Sequence, residues 1–139
     1  MDPRHMVESY KFWDVVTLWA KERLDHEDIV ARALARGVIK DGLMCQSVDI
    51  RWVKDGKVNI EFRGYPYVGY CAEPGGKMII LRAEALEHLL GIVSKGKTPL
   101  KKFLRDEFIF KKDFRAWLEK TDQPLPNFWF SESKKVIKV

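Results

Sequence analysis

The chain has 139 residues, enough for one domain with a single core, and its 46% hydrophobic and 32% charged residues exclude a disordered polymer. No apolar run approaches the roughly 20 residues of a membrane-spanning helix, and no secretory leader precedes the first predicted helix, so a soluble cytoplasmic protein is expected. The net charge of +5 is unevenly spread: Lys95–Val139 carries twelve Lys or Arg against six Asp or Glu, residues 1–94 thirteen against fourteen. The basic excess therefore lies in the last third, which suits an acidic partner such as nucleic acid, although a solvated basic surface has the same composition.

Met1–Met6, "MDPRHM", reads as an added leader before a second methionine, set apart from a single domain over Val7–Val139. Ser9 to Leu24 predicts an amphipathic helix with Phe12, Trp13, Val16, Trp19 and Ala20 on its apolar face. Asp25 is placed to cap a second helix that buries Ile29, Val30, Ala33 and Leu34 and stops at Gly37. The period then changes to two. "SVDIRWV" and "KVNIEFR" alternate around a "KDGK" turn, and Tyr67–Ala72 and Lys77–Arg82 flank a second turn at "EPGG". Three or four strands in an antiparallel meander are expected.

The helical period returns at Ala83, with Leu86, Leu89, Leu90 and Val93 as the stripe and Gly96 as the stop. Thr98 and Pro99 have the chemistry of a cap and first turn, predicting another helix with Leu100, Phe103, Leu104 and Phe108 inside. A last helix starts near Asp113 and carries Phe114, Trp117 and Leu118. Pro124 and Pro126 then force the tail out of helical geometry, laying Phe128–Phe130 over the core. The expected class is α+β: an N-terminal helix pair, a small antiparallel β-meander, and C-terminal helices packed on the sheet.

"GIVSKGKTPL" (Gly91 to Leu100) has the letter pattern of a phosphate-binding loop. The order of elements is wrong for it: Gly91 falls inside a predicted helix, no buried strand feeds the loop, and Thr98–Pro99 read as a helix start. Nucleotide binding is not expected. No CxxC or HxxxH spacing is present, so no metal and no other cofactor is expected, and Cys45 and Cys71 read as separate thiols. No GxSxG elbow frames a serine, and His26, in the first turn of its helix, and His88, beside leucines, read as surface or satisfied core histidines, so no enzyme activity is expected. Ala33 and Gly37 have the spacing of a helix-turn-helix, but Arg32 and Arg36 occupy apolar positions of that motif and Gly42 interrupts its recognition helix.

Two surface features remain. Lys101, Lys102 and Arg105 fall on one side of their predicted helix, with Lys95 and Lys97 before it and Lys111, Lys112 and Arg115 after it. Such cations suit phosphate contacts, with Asp106, Glu107 and Asp113 diluting the field. In "FRGYPYVGY", Tyr65 and Tyr67 share a parity and so a strand face, where they would either stack on bases or sit in the core. The segment "DFRAWLEKTDQPLPNFWF" (Asp113 to Phe130) resembles the tail of uncharacterised bacterial proteins associated with phages and mobile elements, through Phe114, Trp117, Leu118, Pro126, Phe128 and Trp129. That resemblance implies a bacterial setting and a link to mobile DNA, and carries over no catalytic residue. The expected function is non-catalytic binding of DNA or RNA through the basic third. The alternative is a protein-interaction module, an adaptor or immunity-type protein, with no nucleic-acid role.

Overall fold

The computed structural model describes residues 2–48, 61–62, 65–71 and 78–131. The first element of the core is a strand where a helix is expected: β1 (Ser9–Lys11) precedes α1 (Phe12–Arg23). β1 pairs antiparallel with β5 (Phe108–Phe110), in the register Ser9 to Phe110, Tyr10 to Ile109 and Lys11 to Phe108. This pairing engages backbone groups that a helix beginning at Ser9 would need for its own turns. Phe12, Val15, Val16, Trp19 and Ala20 of α1 are buried.

In α2 (Glu27–Lys40) the cap is His26 rather than Asp25, its Nδ1 accepting from the Asp28 N–H at 3.2 Å. The buried stripe is Val30, Ala31, Leu34, Ala35 and Val38, and Ile29 is exposed instead. Gly37 does not stop the helix, which runs on to Lys40. A Cβ there would lie 2.8 Å from a ring carbon of Trp117, so this glycine lets an indole approach the α2 backbone. The helix-turn-helix reading fails at the same point, because its turn glycine lies inside a continuous helix and residues 42–45 are not helical.

β2 (Glu61–Phe62), β3 (Tyr65–Tyr70) and β4 (Ile79–Arg82) form the expected antiparallel meander, with Tyr67 opposite Arg82 and Tyr70 opposite Ile79. The expected strand residues 49–53 and 57–60 and the turns at 54–57 and 73–76 lie outside the described residues. α3 (Ala83–Lys95) follows β4 directly and packs on β3, β4 and α2. It ends as expected at Gly96, which takes φ +64, and the Lys97 N–H closes on Ile92 O at 3.0 Å.

The helix expected after Pro99 is not formed. A single 3-10 turn, Lys101–Phe103, leads into β5, and α4 (Lys111–Lys120) comes next. The two sheets are joined through residues 46–47. Gln46 exchanges backbone hydrogen bonds with Phe108, while the Ser47 N–H donates to Ile80 O at 2.8 Å. At the same seam the buried Arg82 grips the fully buried Glu107 with two bonds, Nε to Oε2 at 2.9 Å and an Nη to Oε1 at 2.8 Å. The Ser47 hydroxyl donates to Glu107 and accepts from the Arg82 N–H.

The tail lies over the core as expected. Phe128, Trp129 and Phe130 are buried around Phe114, whose ring centroid is 5.5 Å from that of Trp129. The residues read as a leader pack against this tail. Pro3–Met6 form a 3-10 turn, His5 Nε2 lies 2.6 Å from Asn127 O, and Trp129 Nε1 donates to Val7 O at 2.8 Å. Cys45 is buried and Cys71 exposed, neither in a disulfide. Burial pushes the Cys45 thiol up and nearby Glu107 adds to the shift, so this sulfur is held as the unreactive thiol.

Candidate nucleic-acid interface

α3 exposes one face along its length. Glu84, Glu87, His88, Gly91, Ile92 and Lys95 follow the three-and-four spacing of a helix and line an open groove of about 510 Å³. Lys97 and Phe103, from the segment after the helix, line it too. The groove exists because that segment turns back. Gly96 reverses the chain in left-handed geometry, Pro99 is buried, and the Leu100 N–H donates to His88 Nε2 at 2.9 Å. The 3-10 turn then brings Phe103 onto the imidazole, with ring centroids 4.4 Å apart. Lys102 Nζ lies 5.1 Å from the centroid of the Phe103 ring.

His88 is an acceptor toward the Leu100 N–H, which requires the neutral ring. Burial holds its pKa below the ordinary value; Glu84 opposes this and Lys102 reinforces it. The unfolded chain therefore binds a proton on this side chain more readily than the native state does. The contribution of His88 to stability is complete above its unfolded pKa of about 6.5 and is lost as pH falls through the lower native value. Thermal melts between pH of about 7.5 and 5 are expected to show wild type losing stability relative to His88→Gln, whose amide oxygen does not titrate in that range. Parallel curves for the two proteins would contradict this role.

Gly91 has a different part from Gly37. A Cβ added there meets nothing within 4 Å, so no packing contact requires a glycine at this position. Mid-helix glycine costs about 1 kcal/mol relative to alanine. What the missing side chain provides is clearance in the middle of the groove.

The eight predicted cations do not form one patch on one helix. Lys95 and Lys97 line the groove, and Lys102 stands over its aromatic wall. Lys101 is exposed beside Lys102 on the 3-10 turn, and Arg105 is exposed two residues beyond that turn. The shared helical face expected for Lys101, Lys102 and Arg105 is thus corrected. Lys111, Lys112 and Arg115 belong to α4. Lys111 donates to His5 O at 2.7 Å and covers the Phe130 ring, Arg115 lies 3.7 Å from Glu119, and Lys112 is exposed. Of the two tyrosines, Tyr67 is buried with Val48 and Ile80, which removes it from the candidate stacking surface. Tyr65 is placed on β3 opposite Phe62, and its side chain lies outside the described part of the structure.

The phosphate-loop letters receive their spatial explanation here. Gly91 is inside α3, and Gly96 and Lys97 follow its C-terminus, where the helix dipole is negative. A phosphate loop presents the opposite, positive end of a helix. Among the described residues no group of three or more His, Cys, Asp or Glu is placed to hold a metal, and no helix is long and apolar enough to cross a membrane.

No family model, curated protein or solved structure matches the chain.

Proposed function

We propose that this is a non-catalytic nucleic-acid-binding protein that uses the groove between α3 and the Lys101–Phe103 turn. The observation that carries the reading is the combination of charge and ring surface in that groove. Lys95 and Lys97 line it together with the contacting ring pair His88–Phe103, and Lys102 stands over the Phe103 ring. Phosphate binding needs mobile cations, and base binding needs a flat apolar surface beside them. The mobile-DNA link implied by the tail resemblance agrees with this role. His88 is committed to the Leu100 N–H, and a base in proton transfer would need that lone pair for substrate.

The test is charge reversal. Lys95→Glu, Lys97→Glu and Lys102→Glu together are expected to weaken DNA or RNA binding by at least about tenfold at low salt and to flatten its salt dependence by about two to three units of slope. Wild-type protein with no affinity for any nucleic acid at low salt would dispose of the proposal. The rival reading, a protein-interaction module, is favoured by Leu90 and Leu100, which are 41% and 49% exposed near the groove. It predicts co-purification with a protein and an absorbance ratio at 260 and 280 nm typical of protein alone.

A further inference from the structure

We infer that the groove takes an unpaired base of a single strand, selecting bases that carry an exocyclic amino group. This rests on the nucleic-acid reading above and narrows it to a substrate class. The groove is not uniformly basic. Glu84 and Glu87 stand about three and two turns before Lys95 on α3, so carboxylates occupy the end where the helix starts, and Lys95 and Lys97 the other. Between them lie Gly91, Ile92 and the Phe103 ring, with neither charge nor bulk at Gly91.

A duplex presents phosphates outward and keeps its base faces in the stack. It would meet the lysines and be repelled by the two carboxylates, gaining nothing from the concavity. An unpaired nucleotide fits all three parts. Its phosphate lies toward Lys95 and Lys97, its base occupies the space over Gly91 beside Phe103, and its amino group donates to Glu84 or Glu87. Carboxylates accept from the amino group of cytosine and have nothing to accept from the carbonyl of thymine or uracil at the same ring position. The open groove's volume, about 510 Å³, is comparable to that of clefts that hold one small ligand.

The experiment is fluorescence anisotropy of labelled ten-residue oligo-dC, oligo-dT and a duplex of the same length, with three proteins compared at one low salt concentration. Wild type is expected to bind oligo-dC about tenfold more tightly than the duplex or oligo-dT. Gly91→Phe fills open space and is expected to bring oligo-dC down to the duplex level. Glu84→Gln with Glu87→Gln changes two exposed side chains, and is expected to raise affinity for all three probes while narrowing the preference for oligo-dC over oligo-dT. Equal binding of all probes by wild type, insensitive to Gly91→Phe, would overturn the single-strand inference and leave charge-driven binding standing. Absence of binding to every probe would remove the broader proposal as well. Circular dichroism of each variant establishes that it is folded, and if Gly91→Phe is not, the Glu84/Glu87 pair decides between these outcomes by itself.

Discussion

Truncation after Thr121 is expected to unfold the protein. The removed segment contains Leu125, Phe128, Trp129 and Phe130, all buried, the three aromatic residues almost completely. Burying one large apolar side chain stabilises by about 1.5–3 kcal/mol, and a whole domain is stable by only about 5–15 kcal/mol. Losing three such aromatics together removes an amount comparable to the total. Phe114 would also be left open on the side where Phe128, Trp129 and Phe130 now lie. The tail is further fastened by polar groups, since Glu22 accepts from the Asn127 N–H at 2.8 Å and the Phe128 N–H at 2.7 Å. Far-ultraviolet circular dichroism and a thermal melt check this: loss of the cooperative transition is expected. A graded version keeps the chain whole. Trp129→Ala is expected to cost about 3–5 kcal/mol in urea unfolding. A truncated protein that melts like its parent would show that the tail is not part of the core.

Parts of this architecture were legible because their signals are local. Gly96 after the leucine stripe of α3 announces a left-handed helix end, and Pro124 and Pro126 between aromatic residues announce an extended return. β1 and β5 have no such signal. Each is three residues long, and each exists through pairing with a segment about a hundred residues away. The letters Leu100, Phe103, Leu104 and Phe108 fit helical spacing, yet Leu100 is half exposed and the chain leaves helical geometry after one turn. Two distant demands decide that outcome: Phe108 must pair with Lys11 and Gln46, and Glu107 must reach Arg82. The groove was hidden for the same reason. Reading residues 100–108 as a helix puts Lys101, Lys102 and Arg105 on one face and sends Phe103 inward. The actual turn sets Phe103 against His88 and separates the cations. Gly37 shows the converse limit, because a helix-stopping letter was retained for contact with Trp117 in a helix about eighty residues on. Only the three-dimensional neighbour distinguishes the two uses.

Replacing Arg82 is expected to have the other large effect, and it isolates the seam between the sheets. Arg82 is 7% exposed and Glu107 fully buried, so neither charge is compensated by bulk water. The guanidinium also donates to Phe103 O at 3.1 Å, which ties the groove's aromatic wall to the same ion pair. Glu107 raises the pKa of Arg82, so the guanidinium is charged throughout the accessible pH range. Arg82→Met keeps much of the side-chain volume but leaves the Glu107 carboxylate buried with Ser47 as its remaining side-chain donor among the described residues. Breaking a buried pair from one side costs about 3–5 kcal/mol, chiefly because the surviving charge has lost its partner. Removing both charges, Arg82→Met with Glu107→Leu, is expected to restore much of that loss, since burying an ion pair has its own desolvation cost. Urea unfolding of the two single variants and the double variant completes the cycle. Losses under about 1 kcal/mol in Arg82→Met, or simple additivity in the double variant, would mean that the seam is held by packing and backbone pairing rather than by this contact. The link to Phe103 adds a second readout: Arg82→Met should also perturb the environment of His88, visible as a shift of its imidazole resonances at neutral pH. An Arg82→Met protein that is destabilised but leaves those resonances in place would confine the role of Arg82 to the sheets and separate it from the groove.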